Sequence, residues 1–174
     1  MYAKFGIAIA ALAFAFATAP AQSADAPTDP QIAHIAYTAD NIDIAAAQLA
    51  LKTSKNPDVI AFANNMVADH TAVNEQALAL LKKLNVTPED NDTSKALVKQ
   101  AADETAKLSA LSGAEFDKAY AANEFAYHKA VNGALETVLI PATSNADLKA
   151  LLSTGLKIFQ GHQEHAEMLV NALK

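Results

Sequence analysis

Apolar residues recur along most of this chain at spacings of three and four, the period of one face of a helix. A first row, Ile32, Ile35, Ala39, Ile42, Ala46 and Leu49, predicts a helix from Asp29 or Pro30 to about Lys55. Asn56-Pro57-Asp58 restarts the chain, because asparagine caps helix starts and proline suits the first helical position. A second row, Ile60, Ala63, Val67, His70, Asn74, Ala77, Leu81 and Leu84, continues to about Asn85, with Pro88 and the polar run 89–93 as its stop. Leu97, Ala101, Leu108 and Leu111 mark a shorter helix over about residues 94–111. Ser112-Gly113-Ala114-Glu115 has the form of a capping box, in which serine and glutamate satisfy each other's amides. It opens a fourth helix reaching about Leu139, where Pro141 is expected to break it. Asn145 caps the last helix, whose stripe is Leu148, Leu152, Gly155, Phe159, His162, Ala166, Leu169 and Leu173.

Four of these helices are long, roughly 26 to 29 residues or about 40 Å each. The first and second are joined by a short connection, as are the fourth and last, so each pair is expected to form an antiparallel hairpin. Residues 85–112 are too many for a turn and suit a helical crossover between the hairpins. The fold class predicted is therefore all-α: a ferritin-like bundle of four long helices with a helical crossover. Composition agrees, since alanine and leucine dominate and only 5 glycines occur; both residues lose little freedom in a helix.

The first 21 residues break this pattern. Lys4 precedes an apolar stretch from Phe5 to Ala17, and Ala19-Pro20-Ala21 puts small residues where a signal peptidase reads. Residues 1–21 are expected to be a cleavable secretion signal, 22–29 a flexible tail, and 30–174 the bundle. The apolar stretch is shorter than the roughly 20 residues that span a bilayer, so no membrane span is expected after cleavage. A periplasmic address follows. All 13 basic residues are lysine, and losing Lys4 takes the formal net charge from −6 to −7. An acidic chain without arginine lacks the electrostatic footprint of a nucleic-acid binder and any polybasic patch for anionic lipid. Cysteine is absent, which removes disulfides, thiolate metal sites and thiol catalysis.

Candidate chemistry lies in the depth of the polar residues. Asp43, His70, His128 and His162 each fall about 14 to 17 residues into a long helix, that is, near its middle. Packed hairpins bring helix midpoints to one level, so these side chains are expected to form one layer inside an apolar bundle. An unpaired polar group there costs about 1 to 3 kcal/mol. A metal ion removes that cost: imidazole and carboxylate are ligands for Fe, Mn, Zn or Cu. Asp69, Glu124 and His165 lie close enough in sequence to add ligands or outer partners. Glu124 and His128 are four apart, and His162 and His165 three apart, so each pair shares a face. The bland alternative is a hydrogen-bonded polar layer that sets helix register without an ion. Neither Glu-x-x-His motif of a regular di-iron bundle is present, so a standard ferroxidase centre is not expected.

Other residues carry weaker signals. His34 sits near a helix start, Met66 is a lone methionine at packing spacing, and Tyr120 and Tyr127 are expected to wedge between helices with each hydroxyl at a polar neighbour. No nucleophile elbow, phosphate loop or dinucleotide fingerprint occurs, so no catalytic residue is assigned.

Met66-Val67-Ala68-Asp69-His70, preceded by Val59-Ile60-Ala61-Phe62-Ala63, resembles the M-x-x-D-H signature of the bacterial domain of unknown function 4142 family. Phe116-Asp117-x-x-Tyr120 followed by His128 resembles its second block, and His162 with Ala166 its C-terminal histidine. Residues 40–51 resemble the opening block, where the family more often has glutamate at the position of Asp43. The resemblance implies a ferritin-like, usually exported bundle without a settled activity, and carries over Asp69, His70, His128 and His162. Two functions compete: a metal-binding or metal-handling bundle, or a non-catalytic binding or stress-protection module whose histidines only organise the core. A pH sensor is a third.

Overall fold

The computed structural model describes residues 26–174; the expected leader and the first part of its tail lie outside them. Among the described residues there is no strand, and five helices carry the fold: α1 (Asp29–Thr53), α2 (Pro57–Leu84), α3 (Asp92–Ser109), α4 (Gly113–Ala134) and α5 (Ala146–Ala172). None of these is long and apolar enough to cross a membrane.

Local chemistry sets most of the helix ends. The Asn56 side chain accepts from the amides of Asp58 and Val59, with Pro57 in the first helical position. Asn145 accepts from the Leu148 amide at 3.0 Å. Asn91 and Ser94 exchange side-chain and backbone bonds in a capping box, which starts α3 two residues earlier than the apolar row suggested. Asn85 stops α2 by adopting φ +54°, the left-handed conformation asparagine tolerates, and returns its N–H to Leu81.

Long-range hydrogen bonds fix the direction of each helix. At one end, here called lower, the Asp29 carboxylate accepts from the Ser144 and Asn145 amides at 2.8 Å each, placing the starts of α1 and α5 together. The segment after α2 returns to that end, where the Glu89 amide donates to Pro30 and Asn91 to Gln31. At the upper end Ser54 donates to Asp117, tying the end of α1 to the start of α4. The helices α1, α3 and α5 therefore run upward and α2 and α4 downward. The main pairings are α1 with α2 and α4 with α5, closed by α2 on α5, while α3 lies against α1. The result is a helical bundle of two antiparallel hairpins joined by a crossover helix.

Three local expectations are corrected. Ser112 makes no side-chain cap bond; Gly113 takes φ +57°, which only glycine adopts freely, and this re-aims the chain into α4. Pro141 does not break the fourth helix. The backbone widens into a π-helical turn, Leu135–Leu139, and resumes over Ile140–Ala142. Proline clashes with the carbonyl four residues back, and a widened turn makes room for it. The inner row of upper α1 is Asp43, Ala47 and Ala50 rather than Ile42, Ala46 and Leu49. Ile42 and Ala46 instead line the gap with Leu97, Ala101 and Leu108 under α3, a second neighbour that the hairpin reading did not supply.

The core divides along the bundle axis. The upper cluster is built on Val59, Phe62, Met66, Phe116, Tyr120 and Leu169, the lower on Ile32, Leu81, Leu135, Leu148, Leu152 and Phe159. The polar layer lies between them.

Candidate metal centre

Each long helix delivers charged or imidazole side chains from its middle. Helix α1 presents Asp40 and Asp43, α2 His70, α4 Glu124 and His128, and α5 His162. Asp43, Glu124 and His128 are each 1 % exposed, His70 3 %, Asp40 5 % and His162 6 %. Six ionisable groups at that depth demand partners, and the partners are only half supplied.

Each imidazole of the layer commits one nitrogen to a hydrogen bond and turns the other toward its neighbours in the layer. His70 Nδ1 bonds Asp40 Oδ1 at 2.8 Å, His128 Nδ1 bonds the Glu124 carbonyl at 3.0 Å, and His162 Nε2 bonds Asp69 Oδ2 at 2.9 Å. The opposite nitrogens, His70 Nε2, His128 Nε2 and His162 Nδ1, have no hydrogen-bond partner, nor have either oxygen of Asp43 or Oε2 of Glu124. These orphaned atoms converge. Asp43 Oδ2 lies 3.1 Å from His70 Nε2 and 3.2 Å from His128 Nε2, yet neither contact has the alignment of a hydrogen bond. Ligand atoms of His70, His128 and His162 lie within 4.8 Å of one another, as do those of Asp43, Glu124 and His128. A tetrahedral ion with ligands at about 2.0 to 2.1 Å holds them about 3.3 Å apart. The Asp43 contacts match that edge.

The carbonyl or carboxylate behind each ring is what metal-binding histidines require, since it fixes tautomer and orientation. The surroundings hold the rings further. Phe159 stacks on His70 at 4.6 Å and 8°, and the three imidazole centroids stand 5.2 to 5.7 Å apart. Asn132 on α4 donates to the Phe159 carbonyl and to Gln163, locking α4 to α5 beside the layer.

Charge is unevenly distributed in the layer. Burial alone would raise the Asp43 carboxyl, but His128 and His70 hold it down at about 2. Burial, reinforced by the Asp43 charge, pushes Glu124 well above the usual carboxylate range. His70 is raised to about 10 because Asp43 and Asp40 outweigh the burial that opposes its charge. Burial lowers His128 and takes His162 down to about 4 despite its bond to Asp69. A divalent cation among these atoms would compete with protons at His70 and Glu124, the two groups shifted toward their protonated forms.

Of the residues singled out from sequence, Asp43, His70, Glu124, His128 and His162 come together, and Asp69 stands behind His162. His165 belongs to neither converging group; its ring meets Phe62 edge-on at 5.1 Å in the upper half. Met66 is fully buried packing there, and His34 lies near the start of α1 beside Thr38. Tyr127 donates to the Ala39 carbonyl at 2.8 Å. Tyr120 departs from expectation, because its buried hydroxyl makes no hydrogen bond. Sequence reasoning passed over Asp40, although it stands three residues before Asp43 and so on the same helix face.

No curated protein and no solved structure matches the chain. Residues 15–169 match DUF4142, described as a domain of unknown function. That span reaches into all four long helices and takes in every residue of the polar layer, and on it this chain belongs to the DUF4142 family.

Proposed function

We propose that this protein is an exported, ferritin-like bundle that binds a divalent transition ion in its middle layer. The observation that carries the reading is the set of orphaned, converging atoms whose opposite nitrogens are already engaged. His70, His128 and His162 give three nitrogens, and Asp43 and Glu124 meet at His128 as a second, carboxylate-bearing set; both donor types suit Zn, Cu, Fe or Mn. Glu124 is the further carboxylate on the Asp43 side. The ferritin-like assignment is supported by the order hairpin, crossover, hairpin, and export by the leader-like residues 1–21. Bound, the ion supplies Lewis acidity or, for Fe, Mn or Cu, a one-electron couple. The chain's own part is to orient three rings through Asp40, the Glu124 carbonyl and Asp69, and to exclude water from them.

Elemental analysis of protein purified without a nickel column tests this, followed by titration with Zn, Mn, Fe(II) and Cu(II). Stoichiometric uptake and a raised melting temperature are expected; an ion at 100 times its Kd adds about 2.7 kcal/mol. Replacing His70 or His128 by alanine should abolish uptake. Protein that arrives metal-free and takes up none of the four ions overturns the reading.

One observation favours a second reading. His70 lies between Asp40 and Asp43 at 2.8 and 3.1 Å, a buried ionic group of the kind that sets helix register. On that reading the protein is a non-catalytic binding or stress-protection module, and added metal leaves its melting temperature unchanged.

A further inference from the structure

The lower half contains a hollow of about 50 Å³ between the hairpins. Its walls are small and apolar: Ala33, Ala39 and Ala134 where larger side chains would fill the space, with Leu135, Leu139 and Leu152 around them. Two walls belong to unusual backbone. Leu135 and Leu139 bound the π-helical turn of the fourth helix, a feature frequent at functional sites. Gly155 lets the Phe159 ring sit where it does, since a Cβ there would meet Phe159 Cε2 at 3.3 Å. Phe159 and Asp40 close the hollow toward the polar layer, and both touch His70 on their other side.

We propose that this hollow binds a small apolar molecule of about two heavy atoms, the size and chemistry of dioxygen, one side chain away from His70. Size and polarity select the occupant. An apolar cavity of about 150 Å³ stays dry and holds benzene; a third of that volume leaves room for a diatomic. Water needs two to four polar partners, and the lining offers few polar side chains: Tyr37 and Asp40, whose Oδ1 is already bonded to His70. Transfer of an apolar molecule from water into such a space is favourable without any directed bond. The inference does not rest on metal binding, because the hollow is formed by packing alone.

Xenon is the probe, applied under pressure to chelator-treated full-length mature protein. Methyl NMR should show saturable shifts at Leu135, Leu139 and Leu152, and none at Val59, Leu108 or Leu169 in the upper half. Dioxygen under pressure should broaden the same lower methyls by its paramagnetism. Ala134→Val fills the hollow from α4 and should abolish both effects. Ala77→Val, from the half-exposed face of α2 that also lines it, does so with less risk to folding. Shifts that do not saturate, that spread equally over both halves, or that survive in both filled variants overturn the proposal, as does a long-lived water detected against these methyls. A failure of the metal titrations leaves this result untouched.

Discussion

The two halves of the core are built by the same four helices and yet differ in tightness. In the upper half ten of the twelve core residues expose nothing, among them Phe62, Met66, Phe116 and Tyr120. In the lower half only Ile32 of twelve is fully covered. The upper half is filled by flat aromatic rings, with Phe116 stacked on Tyr120 at 6.0 Å and Phe62 edge-on to it at 6.1 Å. The lower half combines leucines with alanines, contains the π-helical turn, and keeps a hollow. The polar layer sits on the boundary. His70 rests on Phe159 and Asp40 lines the hollow, so the looser side reaches the layer through these two residues.

The largest break in this contrast comes from emptying the tight side. Phe116→Ala is expected to cost about 3 to 5 kcal/mol, whereas Leu152→Ala falls near the low end of the roughly 2 to 5 kcal/mol range because the hollow already relaxes around it. Urea unfolding of the two variants measures the difference, and equal losses would erase the distinction. Next comes the boundary itself. Asp43→Asn leaves the His70 charge short of a buried partner and should destabilise the metal-free protein by about 3 kcal/mol, while also removing metal-dependent gain in melting temperature. Overfilling comes third: Ala121→Val in the upper half should cost about 1 to 3 kcal/mol, but Ala134→Val in the lower half less than about 1 kcal/mol.

The smallest effect is a slope with pH in the metal-free protein. His70 is raised to about 10, so its stabilisation is complete below pH 6.5 and fades as the pH climbs toward 10. His162 is lowered to about 4, so the unfolded chain binds its proton first and stability declines as the pH drops from 6.5 toward 4. Glu124, raised by burial, also loses stabilisation as the pH climbs, so the maximum lies below neutrality, and thermal melts across pH 4 to 10 check it. Bound metal should shift the maximum upward, since ligation requires unprotonated imidazole.

Much of this architecture could be read from residue spacing. Asn56-Pro57 and Asn145 announced helix starts, and the mid-helix depth of His70, His128 and His162 brought them to one level. What escaped depended on neighbours rather than on local pattern. The one-residue rotation of the buried row in upper α1 reflects the crossover helix pressing on Ile42 and Ala46. The π-helical turn before Pro141 lies between Leu135 and Leu139, both held in the core, which no local pattern announces. His165 shares a face with His162, yet one helical turn of height carries it into the upper cluster beside Phe62. Asp40 was overlooked because a carboxylate near an apolar row reads as surface until a partner ring from α2 is found against it.

The layer also bears on the order of assembly. Asp43 and His70 come from the first hairpin, whereas Glu124, His128 and His162 come from the second, so neither hairpin alone completes the converging set. Contacts within each hairpin are closer in sequence and close their loops at smaller entropic cost. An occupant of the layer thus acts as a clasp between two preformed arms, and its natural effect is on how slowly the arms part rather than on how quickly they form.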